Sequence, residues 1–200
     1  MGAVAAGTLA FAMLGGSALA APPVREHIAS RSAGAGNLVC NGPECTATSV
    51  FVFVNSPDGP SQACLDISRY ETVGTSFILL GFETGCADLA EGSFSIDTRT
   101  LSGAALSPTE ITVQAYECDA TSCNPTGSPR TALVSATYTG VGDVSTFRSN
   151  SKSTFGGCTM YFGGKGSSRN ATATLTVDGR SFEAPGSLFT STQRVKVLCH

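Results

Sequence analysis

The sequence predicts an all-β protein, an antiparallel β-sandwich of immunoglobulin-like or jelly-roll-like type with about ten short strands. Three observations support this prediction. Short runs that alternate apolar and polar residues recur along the chain, clusters of Gly, Pro, Asn and Asp separate them, and no stretch sustains a helical period. The eight cysteines are even in number, which is typical of a disulfide-stabilised fold from an oxidising compartment.

Residues 1–20 have the pattern of a secretory signal peptide. Their apolar run, which ends at Leu14, is followed by small residues that predict cleavage between Ala20 and Ala21. The run is shorter than the ~20 residues that a membrane-spanning helix needs. We therefore expect a secreted, extracellular protein with no stable membrane insertion after the signal is cleaved.

Behind the signal, the composition divides the chain into a leader and one domain. Residues 21–37 carry Pro, Gly and Ser without a sustained period, and we interpret them as a flexible leader. From Cys40 onward, β-rich runs alternate with turn clusters. We therefore expect a single β-sandwich domain over residues 38–200.

Each strand candidate in this domain is a short alternating or apolar run. The run 50–54 (VFVFV) is apolar throughout, which is typical of a strand buried on both faces. Residues 111–118 and 131–139 alternate and predict a long β-hairpin, while Asp178-Gly179 predicts a type I′ turn. The other candidates are 63–67, 76–82, 94–96, 144–149, 159–162, 171–177, 180–184 and 195–199.

All eight cysteines follow the signal peptide, and proximity along the chain suggests how they pair. Two pairs are separated by only four residues, which favours local disulfides and leaves four cysteines for two longer ones. The pairing expected on this basis is Cys40–Cys45, Cys118–Cys123, Cys64–Cys86 and Cys158–Cys199. The alternative is a zinc site, but its usual C-x2-4-C spacing fits poorly and histidines are few. We expect neither a metal nor a cofactor.

A loop at 119–130 lies between the two strands of the central hairpin, and the Cys118–Cys123 disulfide would close its mouth. A constrained loop loses little conformational entropy on docking, and loops on β-scaffolds often bind partners. The candidate binding residues are Asp119, Thr121, Asn124, Pro125 and Arg130 in the loop and Tyr116 beside it. The competing interpretation is that the disulfide only stabilises a long hairpin.

The sequence predicts no catalytic residue. Histidine is the usual general base at neutral pH, yet His27 lies in the leader and His200 is the last residue. No G-x-S-x-G motif occurs, and residues 163–168 fail the phosphate-loop pattern because Gly166 follows Lys165. Paired carboxylates are the remaining enzymatic option. The candidates on or beside strands are Asp66, Glu83, Asp97 and Glu117.

The charge of the chain restricts its partners. The net charge is −3 with only three lysines, so we expect no basic patch and no nucleic-acid partner. We expect a secreted, non-enzymatic protein that binds an extracellular protein or a cell-envelope glycan through its loops. One alternative is a protease inhibitor that presents the 119–130 loop, with Arg130 as the recognised side chain. The other is a carboxylate-dependent glycan hydrolase.

Overall fold

A computed structural model describes residues 24–56 and 61–199, and these residues form strands and turns without a helix. The nine strands are β1 (Val24–Asn41), β2 (Glu44–Ser56), β3 (Ser61–Val73), β4 (Ser76–Asp88), β5 (Phe94–Ile96), β6 (Gly103–Cys118), β7 (Cys123–Phe155), β8 (Cys158–Val177) and β9 (Arg180–Cys199). The described residues accordingly include no helix that could cross a membrane. The signal peptide predicted at 1–20 lies outside them.

The strands form one antiparallel sheet in the order β4-β3-β2-β1-β9-β8-β7-β6-β5. Except for β4 and β5, consecutive strands are neighbours, without the Greek-key connections of immunoglobulin-like or jelly-roll folds. β4 also pairs with β6, from Gly81↔Glu117 to Thr84↔Gln114. This pairing closes the sheet on itself, so one face encloses the core in a sandwich-like arrangement. The predicted all-β, antiparallel, disulfide-stabilised class is confirmed.

The interior is filled by small and branched side chains because every second residue of each strand points inward. Val52, Leu65 and Leu175 are completely buried, and Tyr138 is the largest of the buried side chains. Burial raises the pKa of the Tyr138 hydroxyl, which has no hydrogen-bond partner among the described residues. The turn at 97–102 closes one end of this interior with the completely buried side chain of Leu101.

Four strands continue beyond this closed end. Among the described residues, β6 pairs with β7 only as far as Thr139 and β2 pairs with β1 only from Ala29, whereas β7, β8, β9 and β1 remain paired with one another. A register shift between Val141 and Ser145 marks the point where β7 leaves the closed sheet. The segments 144–155, 158–170, 187–199 and 24–31 are termed the four-stranded extension. Apart from its inner end, where Leu188 is buried in the core and residues 29–31 pair with β2, both of its faces lie outside the closed part of the sheet.

The interpretation of residues 21–37 as a flexible leader is wrong from Val24 onward, where β1 begins. β1 pairs with β2 on one side and β9 on the other, and Ala33 and Ala35 are buried in the core. The sequence did not indicate this strand because its inward residues are small and Gly34 has no side chain. The ring of Phe51 covers Gly34 instead.

All four expected disulfides are present, and each joins two residues that stand directly opposite one another on paired strands. The Cα atoms of every pair are 4.0 Å apart. No cysteine among the described residues is free. The local pairs close the β1–β2 and β6–β7 hairpins, and Cys158–Cys199 closes the tip of the extension.

The prediction that 50–54 is buried on both faces is wrong. Val50 and Val52 are completely buried, whereas Phe51 is 46% exposed. The apolar run therefore alternates between core and surface. Its outward aromatic ring is retained because it packs over Gly34 and lies 5.8 Å from the ring of Phe53.

Candidate functional site

The loop predicted at 119–130 is much shorter than expected. β6 ends at Cys118 and β7 begins at Cys123, so only a four-residue turn joins them. Asp119 organises that turn by accepting hydrogen bonds from the N–H groups of Thr121 and Ser122, each at 2.8 Å. The N–H and hydroxyl of Thr121, followed by the N–H of Ser122, lower the pKa of Asp119. The turn is held by its own hydrogen bonds.

The other candidates from that loop lie in paired strands. Asn124 stands opposite Glu117, and Pro125 stands opposite Tyr116 on a stretch of β7 that pairs with β6 alone. Proline is tolerated there because no second neighbouring strand needs its missing N–H. The ring of Tyr116 stacks on Phe82 with 4.7 Å between centroids. These residues are part of the sheet and do not form a protruding binding loop.

Arg130 is held in ion pairs at the end of the closed sheet that lies away from the extension. Its guanidinium donates to Glu83 at 2.6 and 2.8 Å and to Asp178 at 2.8 Å. The N–H of Leu133 and then Arg130 lower the pKa of Asp178. An arginine engaged in this way is poorly placed to enter the specificity pocket of a protease. The geometry therefore gives the inhibitor hypothesis no support.

The carboxylates proposed for a hydrolase are each engaged with neighbouring side chains, and Asp97 accepts hydrogen bonds from Thr100 and Ser102. Glu83 binds Arg130, Glu117 binds Arg69, and Asp66 accepts a hydrogen bond from Thr84. A glycosidase needs one carboxyl that holds its proton near neutral pH. A hydrolase also needs two carboxyls that face each other across a cleft, and these side chains are engaged with other partners. The arrangement does not support the hydrolase hypothesis.

Basic residues gather on one face of the four-stranded extension. Residues paired across antiparallel strands point to the same side, and so do residues two apart on one strand. Arg31 lies two residues before the buried Ala33, and Lys165 lies six residues before the buried Ala171. Both therefore point to the same side of the sheet as the core residues, and this face is continuous with the core-facing side. From the closed sheet to the tip, its rows are Arg31–Thr190–Ser167–Thr146, Ala29–Thr192–Lys165–Arg148, His27–Arg194–Gly163–Asn150 and Arg25–Lys196–Tyr161–Lys152. It is termed the basic inner face.

The basic inner face holds more than half of the chain's cations. Seven of the twelve lysines and arginines lie in the four rows, together with His27, and no acid does. The seven are Arg25, Arg31, Arg148, Lys152, Lys165, Arg194 and Lys196. None of them forms a salt bridge to another described residue. Five cations and fifteen acids remain elsewhere in the chain, a formal charge of −10.

The expectation of no basic patch is therefore wrong, because the patch is assembled by strand register. Its residues come from four segments that are far apart in the chain, so no basic run occurs in the sequence. A weak signal was present. Arg25, His27 and Arg31 occupy alternate positions of one strand, as do Arg194 and Lys196 of another. Alternation of charge with period two can be read from a sequence. The strand pairing that places the charged residues of several strands on one face cannot.

Two adjoining cavities open on the basic inner face. The larger, about 620 Å³, lies beside the closed sheet and is lined by Arg31, Arg148 and Lys165, with Thr98 of the 97–102 turn at its edge. The smaller, about 310 Å³, lies nearer the tip and is lined by Arg194 together with Arg148 and Lys165. Arg148 and Lys165 thus line both cavities. The remaining lining is rich in hydroxyl groups, from Thr146, Ser167, Thr190 and Thr192.

Neither a metal site nor a known relative adds to this description. Among residues 24–56 and 61–199, no group of three or more His, Cys, Asp or Glu residues is placed to hold a metal ion. Comparisons of the chain with protein-family models, with curated proteins and with solved structures return no match. The basic inner face is therefore the candidate site on geometry alone.

Proposed function

We propose that the protein is an extracellular, non-enzymatic binding module and that its basic inner face binds an anionic partner of the cell envelope or the extracellular space. The observation that carries the proposal is the gathering of seven cations on a face whose rows contain no acid. Like charges at this density repel one another, and an anionic partner removes that repulsion on binding. The proposal keeps the expected partner class and moves the binding surface from the loops to a sheet face.

An extracellular setting is supported by the four disulfides and by the signal-peptide pattern of residues 1–20. Proteins with many disulfides fold in oxidising compartments, where cell-envelope polymers with carboxylate, sulfate or phosphate groups are present. A binding role is favoured over catalysis because the cavities are lined by cations and hydroxyls. Among the described residues that line them, there is no carboxylate that could act as a general acid or base.

A co-sedimentation assay tests the proposal. Oxidised protein is spun with purified cell walls and with an insoluble anionic polysaccharide, beside the variant Arg148→Glu/Lys165→Glu. The control is Arg69→Glu/Arg180→Glu, which changes the net charge equally at positions away from the extension. We expect the first variant to lose about tenfold or more in affinity while the control binds like the wild type. If both variants bind as tightly as the wild type, another surface binds the partner.

The same assay separates the sheet face from the hairpin tip. A variant with residues 119–122 replaced by Gly and Ser is expected to bind like the wild type, since this turn lies in the closed part of the sheet. Thermal unfolding of each variant confirms that the fold is retained. If binding is lost in this variant, the binding site is the 119–122 turn and not the sheet face.

A further inference from the structure

We infer that the basic inner face binds a linear anionic polysaccharide that lies along the strands, with its sugar units in the two adjoining cavities. This inference rests on the proposed function and names the ligand class. Three properties of the face carry it: the spacing of its cations, the chemistry of its cavity walls and the position of its aromatic side chains.

The cations are spread along the face and do not converge on one point. Successive rows lie about 7 Å apart, because two residues of an extended strand span that distance. Each row contains at least one arginine, beginning with Arg31 beside the closed sheet. Some rows add a lysine, as in the row of Lys165 and Arg148. A small anion would contact the cations of only one row. A chain with regularly repeated anionic groups meets all four.

The cavity walls suit sugar rings carrying those anionic groups. Thr146, Ser167 and Thr190 add hydroxyls to the larger cavity, and Asn150 adds an amide to the smaller. Thr192 lines both. Hydroxyl and amide groups both donate and accept hydrogen bonds, as sugar hydroxyls require, whereas arginine and lysine only donate. A polymer without hydroxyls would leave fewer of these groups hydrogen-bonded to the ligand.

The aromatic side chains argue against the two other common polyanions. Proteins stack the bases of single-stranded nucleic acids on exposed rings. In the four rows Tyr161 is the only aromatic residue, and the ammonium of Lys152 lies 5.6 Å from the centre of its ring. Phe162 lies on the opposite face. Phe147 lines the larger cavity, but its ring stacks on that of Phe189. A peripheral membrane site would place such rings beside the cations, so that both reach the bilayer.

Binding of soluble polymers to the oxidised protein, by calorimetry at fixed salt, tests the ligand class. The anionic polysaccharides are alginate, which carries carboxylates, and dextran sulfate, so the tighter of the two identifies the anionic group. The comparison probes are polyglutamate, an anionic polymer without sugars, a DNA oligonucleotide, and vesicles of phosphatidylglycerol. We expect at least one polysaccharide to bind about tenfold more tightly than each comparison probe.

A second variant isolates the contribution of the hydroxyls. Thr146→Val/Ser167→Ala/Thr192→Val keeps every charge of the face and removes three hydroxyls from the cavities. We expect it to bind the preferred polysaccharide about five- to tenfold more weakly and polyglutamate as the wild type does, because hydrogen bonds to sugar hydroxyls are lost while charge attraction is kept. Val and Ala are close in size to the residues that they replace.

The outcomes separate the ligand class from the proposed function. If polysaccharides and polyglutamate bind alike and the hydroxyl variant changes neither, the face is a general polyanion surface; the sugar inference then fails while the proposed function stands. Tighter binding of DNA or of vesicles would overturn the inference in favour of that class. If no polyanion binds, the proposed function itself is wrong.

Discussion

At the scale of single residues, Asp97 organises the turn that lies between the core and the larger cavity. Its carboxylate accepts hydrogen bonds from the hydroxyls of Thr100 and Ser102 and from the N–H groups of Arg99 and Thr100. The hydroxyl of Thr100, then that of Ser102 and then the backbone N–H groups lower the pKa of Asp97. The turn places the side chain of Leu101 in the core. The ionised carboxylate therefore helps to close this end of the sheet.

Replacing Asp97 with Asn is expected to lower the thermal stability at neutral pH. Because the folded pKa lies below the unfolded value of about 3.9, the stabilisation is fully present above pH 4 and is lost as the pH falls through the folded pKa. The Tm difference between wild type and Asp97→Asn should thus shrink between pH 4 and pH 2. Exposed Asp143, changed to Asn, serves as the control. A Tm difference of equal size at pH 7 and pH 2 would contradict this role.

Such residue contacts are invisible in the sequence. In the sequence, Asp97 is only a carboxylate beside a predicted strand, because hydrogen bonding within a turn depends on dihedral angles that the sequence does not specify. The sequence predicts Arg130 as a recognition residue in a loop, yet it pairs with two acids that are 47 and 48 residues away in the chain. Long-range ion pairs require knowledge of which strands meet.

At the scale of elements, alternation and turn chemistry predicted most strands but not their lengths. The hairpin of β8 and β9 turns at Asp178-Gly179 as the type I′ signal predicted, and both turn residues have positive φ. β7, by contrast, runs for 33 residues, from Cys123 to Phe155. Its second half carries few apolar residues because it lies in the extension, where neither face is in the core. A pattern based on burial detects such a strand only in part, here at the candidate 144–149.

A disulfide closes the tip of the extension. Cys158–Cys199 joins β8 to β9 next to the row of Arg25, Lys196 and Lys152, and it closes a longer segment of chain than Cys118–Cys123 does. Chain-entropy arguments assign about 4 kcal/mol to a loop of roughly 40 residues and about 2 kcal/mol to one of roughly five. The tip disulfide is therefore expected to hold the cations of the outer rows in place.

Removing that disulfide should weaken ligand binding selectively. We expect Cys158→Ser/Cys199→Ser to speed amide hydrogen exchange in the extension and to lower affinity for the preferred anionic polymer several-fold, because the outer rows lose their fixed spacing. Cys118→Ser/Cys123→Ser is the matched control and should leave binding unchanged. The measurement is the affinity of both double variants for the anionic polymer. Equal losses would mean that disulfides act on global stability rather than on the extension.

At the scale of the whole molecule, the fold separates charge. The sequence carries a modest net charge of −3, yet register places seven cations on one face and leaves −10 on the rest. A charge distribution of this kind is expected to orient the basic inner face toward the anionic polymer that we propose as its partner. Composition alone predicted no basic surface, because a sum over the chain contains no information about position. The fold class was predictable from local patterns, whereas the candidate site required the pairing of four distant segments.

The most direct test of the central claim uses the lysines of the chain. All three, Lys152, Lys165 and Lys196, lie on the basic inner face. Acetylation of the oxidised protein, followed by mass spectrometry of each lysine, is measured without polymer, with the anionic polysaccharide that binds best and with neutral dextran. We predict that the anionic polymer slows acetylation of all three lysines and that dextran slows none. If the polymer binds while all three react at their free rates, the basic inner face is not the binding surface.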